Sequence, residues 1–187
     1  SLISVLNLEL APRITRHGVL MEVYGEGVLL MGESGVGKSE VAIELIKRGH
    51  RIIADDAVEI RHIGTRLVGS APELIRHYIE LRGIGVVDIQ QLFGMSAVLE
   101  EQAINLVVNL EQWNDQVFYD RLGTNEEFTT ILDMKVPSIT IPIKPGRNLA
   151  IIIEVAAMNN RQKRMGYNAA VEFTEQMSKY FTARNDD

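Results

Sequence analysis

The stretch Gly27–Ile60, "GVLLMGESGVGKSEVAIELIKRGHRIIADDAVEI", decides the fold. It runs from an apolar β-like segment through a glycine-rich loop into a helical pattern, then through a second apolar run to two adjacent aspartates. Within it Gly32-Glu33-Ser34-Gly35-Val36-Gly37-Lys38-Ser39 satisfies G-x-x-x-x-G-K-[ST] at every fixed position. Glycines allow backbone conformations closed to bulkier residues, so successive N–H groups can converge on an anion while the following helix adds its N-terminal dipole. Lys38 then reaches the terminal phosphates of a nucleotide, and the Ser39 hydroxyl is placed for Mg²⁺. A chance match is expected in roughly one chain of this length per hundred, and the flanking strand and helix make it rarer still.

Working outward, Gly18 to Tyr24 and Gly27 to Met31 read as two strands joined by a tight reversal at Gly25-Glu26-Gly27. From Ser39, Val41, Ala42, Leu45 and Ile46 recur at helical spacing, and Lys47-Arg48-Gly49 ends the helix. Arg51 to Ile60 reads as one strand, with His62-Ile63-Gly64 turning into Arg66 to Gly69. If that strand continues through Asp55 and Asp56, their side chains point to opposite faces and one of them enters the site of the loop. A carboxylate there either holds Mg²⁺ or accepts a proton from an attacking hydroxyl.

Further strands are expected at Ile104 to Leu110 and Ile139 to Ile143, with Pro137, Pro142 and Pro145 at breaks or edges. Helices are expected over Arg147 to Arg164, with Ile151, Ile152, Ile153 and Val155 as core, and over Ala169 to Phe181. Glycine turns and hairpins point to an α/β fold with a mixed sheet and flanking helices.

Composition narrows the classes. With 46% hydrophobic and 24% charged residues the chain is an ordinary globular one, and 187 residues suffice for one domain with a substantial core. A formal charge of −6 argues against nucleic acid as partner. The chain has no cysteine, which excludes a disulfide framework or thiolate nucleophile and fits the cytoplasm. The apolar run Leu149 to Met158 is short and broken by Glu154, so no membrane span is expected. Because the chain starts at Ser1, we read residues 1–12 as a leader or linker remnant of a longer protein and 13–187 as the domain.

Together with "IELRGIGVVDIQQLFG" (Ile79 to Gly94) and "RNLAIIIEVAAMN" (Arg147 to Asn159), the loop segment resembles the C-terminal catalytic domain of the bifunctional HPr kinase/phosphorylase family, from about Arg13 to Phe181. That resemblance implies a phosphoenolpyruvate carboxykinase-like, P-loop-containing fold. It implies phosphorylation of a serine of the phosphocarrier HPr by ATP or pyrophosphate, and the reverse phosphorolysis, in which inorganic phosphate attacks phosphoserine and pyrophosphate leaves. With it come a role in carbon catabolite repression and a hexameric, cytoplasmic homo-oligomer. Residue by residue, it makes Asp56 the general base and, protonated, the acid of the reverse reaction. It gives His17 a contact with the reacting phosphate and Glu80 a place beside Mg²⁺ with Ser39. Arg121 becomes the cation at the transferring phosphoryl group. The segment Pro142-Ile143-Lys144-Pro145-Gly146-Arg147 becomes a loop serving the phosphorylase direction. Competing readings are a small-molecule P-loop kinase or carboxykinase-like enzyme, and a non-catalytic ATP sensor. No N-K-x-D segment supports a guanine-reading GTPase.

Overall fold

The computed structural model describes residues 11–119 and 121–185. Most of the expected leader, residues 1–10, lies outside that range. Twelve strands and four α-helices follow in order among the described residues. They are β1 (Arg13–His17), β2 (Val19–Val23), β3 (Glu26–Met31), α1 (Lys38–Lys47), β4 (Arg51–Ala54), β5 (Ala57–Ile63), β6 (Arg66–Ser70), β7 (Tyr78–Leu81), β8 (Gly85–Asp88), α2 (Ile89–Phe93), β9 (Glu101–Ala103), β10 (Leu106–Gln112), β11 (Glu127–Ile131), β12 (Met134–Ile143), α3 (Leu149–Arg164) and α4 (Ala169–Asn185).

A six-stranded sheet in the order β11-β12-β10-β3-β2-β4 forms the middle layer. It is mixed, as expected: β3, β10 and β12 run parallel, and the other pairs are antiparallel. Its central strands are apolar on both faces, which is what a sheet covered on both sides requires. On one face Val19, Met21, Val23, Val28, Leu30, Val108 and Leu110 meet Leu45 of α1 and Ile153 of α3. The alternate residues Leu20, Leu29 and Val107 face Val58, Ile60 and Leu67 of an antiparallel sheet, β1-β5-β6-β9. Period-two alternation thus builds a helix, sheet, sheet sandwich. Truncating the fully buried Leu45 to alanine costs about 3 kcal/mol on this account.

Three expectations need correction. First, Arg51 to Ile60 is two strands: β4 closes the central sheet, and the chain turns at Asp55-Asp56 so that β5 enters the outer one. Second, β12 is an interior strand despite two prolines. Pro137 pairs only with β11 and Pro142 only with β10, so each stands where one neighbour is absent and the missing N–H costs no ladder bond. Third, α3 buries Ala150, Ile153, Glu154, Ala157 and Asn160, while Ile151 and Val155 are 44% and 55% exposed. A helical face recurs at three and four residues, so a contiguous apolar run cannot all point inward. The β2–β3 hairpin forms as expected, but it turns one residue earlier than Gly25-Glu26-Gly27, through Tyr24 and Gly25 at φ 50° and 82°, with Glu26 and Gly27 already paired in β3. Its two-residue turn with both φ positive matches the right-handed twist of the strands. Among the described residues no helix is long and apolar enough to cross a membrane.

Candidate functional site

The glycine-rich loop leaves the end of β3 beside the parallel neighbours β10 and β12, the edge at which α/β sheets gather ligands. Gly35 sits at φ 83° and Gly37, the N-cap of α1, at φ 113°, so both need glycine. The Arg82 guanidinium lies against the backbone of Gly35.

Lys38 opens α1 and its ammonium folds back on the loop, donating to the carbonyls of Gly32 at 2.7 Å and Glu33 at 3.0 Å. Burial lowers its pKa, opposed by the charges of Asp55 and Asp56. One residue on, the Ser39 hydroxyl donates to Asp55 Oδ1 at 2.9 Å, and the Glu80 backbone N–H, in β7, donates to Asp55 Oδ2 at 3.3 Å. Asp55 is therefore a hub joining α1, the β4–β5 turn and β7. Burial holds its carboxyl above the usual range, only partly offset by those two hydrogen bonds.

Asp56 is the opposite case. Its φ is 70°, and the Ala57 N–H closes on the Asp55 carbonyl at 2.8 Å, a three-residue turn with Asp56 at its apex. That conformation is strained for a residue with a side chain, although Asp tolerates it better than most. The turn is pinned by the Gly18 N–H donating to the Asp56 carbonyl at 3.0 Å. The carboxylate stands in solvent, 74% exposed, with His17 Nδ1 at 3.2 Å from Oδ1.

A single cavity of about 160 Å³ is lined by His17, Lys38, Ser39, Asp55, Asp56 and Glu80, together with Ser34, Gly35, Gly37 and Arg82. Both aspartates reach it, against the expectation that one would, because the chain leaves the extended conformation between them. Two sets of expected residues are elsewhere. Arg121 is exposed between β10 and β11 and does not line this cavity. Segment Pro142–Arg147 borders neighbouring clefts: Gly146 and Arg147 share one with Glu40 and Glu44 of α1, and Lys144 lies 4.6 Å from the Trp113 ring centroid. Arg82 was not singled out from the sequence, although it stands two residues beyond Glu80 in the same "IELRG" motif.

An ammonium, convergent glycine N–H groups and a helix start suit a polyanion. Among the described residues no three His, Cys, Asp or Glu cluster as a metal site. Ser39 and Glu80 line the same cavity, and Mg²⁺ is commonly held by few protein ligands with phosphates and water completing its shell.

Residues 8–177 match the family model described as HPr Serine kinase C-terminal domain. The HPr kinase/phosphorylase of Caldicellulosiruptor bescii is 59% identical over 186 residues, covering 99% of this chain and 60% of that protein. That of Caldanaerobacter subterraneus subsp. tengcongensis is 60% identical over 179 residues, covering 95% and 59%. The solved structure of the Hpr(Ser) kinase/phosphatase from Coxiella burnetii superposes with a TM-score of 0.78 at 35% identity, covering 86% of this chain and 98% of that one. The chain spans about 60% of the length of the curated relatives it matches. By its matched length and its identity to these proteins, the chain belongs to the HPr serine kinase C-terminal domain family.

Proposed function

We propose that residues 13–187 form a P-loop, carboxykinase-like catalytic unit that phosphorylates a serine of HPr from ATP or pyrophosphate and reverses the reaction with inorganic phosphate. The observation that carries this is the convergence of Lys38, Ser39, Asp56 and Glu80 on one cavity. In the forward direction the serine Oγ attacks the terminal phosphorus of the donor, the bridging P–O bond breaks, and Asp56 takes the hydroxyl proton. In reverse, an oxygen of inorganic phosphate attacks the phosphoserine phosphorus. The P–Oγ bond then breaks, protonated Asp56 returns the proton to serine, and pyrophosphate leaves.

An exposed carboxylate at a strained turn is accessible to a macromolecular substrate, while buried Asp55 orients the Ser39 hydroxyl. His17 steadies Asp56 and faces the reacting phosphate. Lys38, Arg82 and the loop N–H groups hold the phosphates. Ser39 and Glu80 would hold Mg²⁺, which supplies charge neutralisation on the phosphates. Arg121 and the segment Pro142–Arg147 serve the transferring and attacking phosphates, roles that rest on the family resemblance. Leu92 at 64% and Met95 at 77% exposed support a subunit contact on this face, and a hexamer is what the family resemblance implies. Cytoplasmic location and control of carbon catabolite repression complete the reading.

The test is to mix the chain with seryl-phosphorylated HPr, Mg²⁺ and inorganic phosphate and measure pyrophosphate against HPr dephosphorylated. Equal amounts support the reading. Absence of both pyrophosphate formation and ATP-dependent HPr phosphorylation, with ATP still bound, overturns it in favour of a sensor or another substrate.

A further inference from the structure

We propose that Trp113, with Tyr119 stacked against it, is the platform for the purine of a nucleotide donor, and that it makes the site distinguish ATP from pyrophosphate. This rests on the phosphoryl-transfer reading above. Two clefts join the glycine-rich loop to this pair. The first is lined by loop residues Gly32–Val36, the end of β10 from Asn109 to Gln112, and Thr140. The second is lined by Glu111, Trp113, Tyr119, Thr140 and Arg147 among others. They share Glu111 and Thr140, so the cleft beside the glycine-rich loop adjoins the one that holds the aromatic cluster.

The cluster has the form of a binding surface. The Trp113 and Tyr119 rings lie 4.8 Å apart at 29°, and the indole N–H donates to Asp115, which fixes the ring. Trp113 remains 38% and Phe118 87% exposed, so the aromatics are organised without being buried. The indole is stacked on Tyr119 and lies under the Lys144 ammonium, so a purine takes its place on the ring by displacing Lys144, and such stacking needs no base-specific hydrogen bond. Pyrophosphate has no base and makes no use of it. Lys144 adds a link to direction: its ammonium lies over the same indole, so a purine settling there competes with a residue of the Pro142–Arg147 segment.

The experiment compares kcat/KM for HPr phosphorylation with ATP and with pyrophosphate in the wild-type chain, Trp113→Ala and Trp113→Phe. The expected result is that Trp113→Ala lowers the ATP to pyrophosphate ratio by roughly five- to a hundredfold, mainly through KM for ATP, and that Trp113→Phe restores most of it. Trp113 is the chain's single tryptophan, so its fluorescence should also respond to ADP and less to pyrophosphate. An unchanged ratio, or equal losses with both donors, overturns the base platform and leaves the phosphoryl-transfer reading intact. A wild-type chain that uses neither donor overturns that reading, and this inference with it.

Discussion

The Asp55 carboxylate accepts the Ser39 hydroxyl at 2.9 Å, so the second residue of α1 is oriented by the residue that follows the neighbouring strand β4. Its pKa is raised above the ordinary 3.8, first by burial. The native state therefore holds this proton more tightly than the unfolded state. Stability from this group is greatest at low pH and declines as pH rises from about 3.8 through the folded value. Asp55→Asn removes the decline, so its melting temperature relative to wild type should climb between about pH 4 and pH 7, while phosphoryl transfer falls about 10- to 100-fold. Thermal melts across that range check the sign; a constant gap would contradict it.

Asp56→Asn keeps the shape and tolerates φ 70°, so it isolates proton transfer from folding. The expected loss is about 10²- to 10⁴-fold in both directions, with ATP affinity and melting temperature little changed. Single-turnover rates and nucleotide titration decide it: a wild-type rate would mean that another group accepts the serine proton.

Lys38→Ala should lose about 10²- to 10³-fold in both kinase and phosphorolysis assays, since both pass through charge on the same phosphates. Full retention in either direction would remove Lys38 from that direction's chemistry.

Far from the cavity, buried Glu154 of α3 accepts from Arg48 Nε at 2.6 Å and Tyr24 Oη at 3.0 Å, and pairs with His50 Nε2 at 2.8 Å. Burial alone would raise its pKa, but hydrogen bonds from His50, Arg48 and Tyr24 prevail and lower it below 4.5. Stability from this carboxylate is present above about pH 4.5 and is lost as pH falls through the folded value. Glu154→Gln should cost about 2 kcal/mol at neutral pH, discounted from a fully buried pair because Arg48 is 38% exposed. The deficit should shrink in acid, as denaturant melts at two pH values will show.

Contiguity decided what could be read from the sequence. The loop, its strand and its helix lie in one stretch, so spacing alone located Lys38 and Ser39. Asp56 stands in that same stretch and the return strand brought it to the loop, whereas His17 and Glu80 come from other segments and only resemblance to a family connected them before the fold did. The alternation argument at Asp55 and Asp56 failed because it assumed extended backbone through a turn with positive φ. The second sheet was also missed, since the continuous run Arg51 to Ile60 gives no sign that it changes layer. Arg82 was overlooked because it lies far from the loop in sequence, and only the fold brings its guanidinium beside Gly35.

The ten-residue helix α1, about 15 Å long, begins at the cavity with Lys38 and ends at Arg48, which is tied to α3 through Glu154. A short rod held at its head through Ser39 and Asp55 and at its tail through Arg48 and Glu154 has its position fixed from both ends. The alignment of the reacting groups is therefore set partly by the hairpin tip at Tyr24, and damage there should blur the geometry of a centre it never touches.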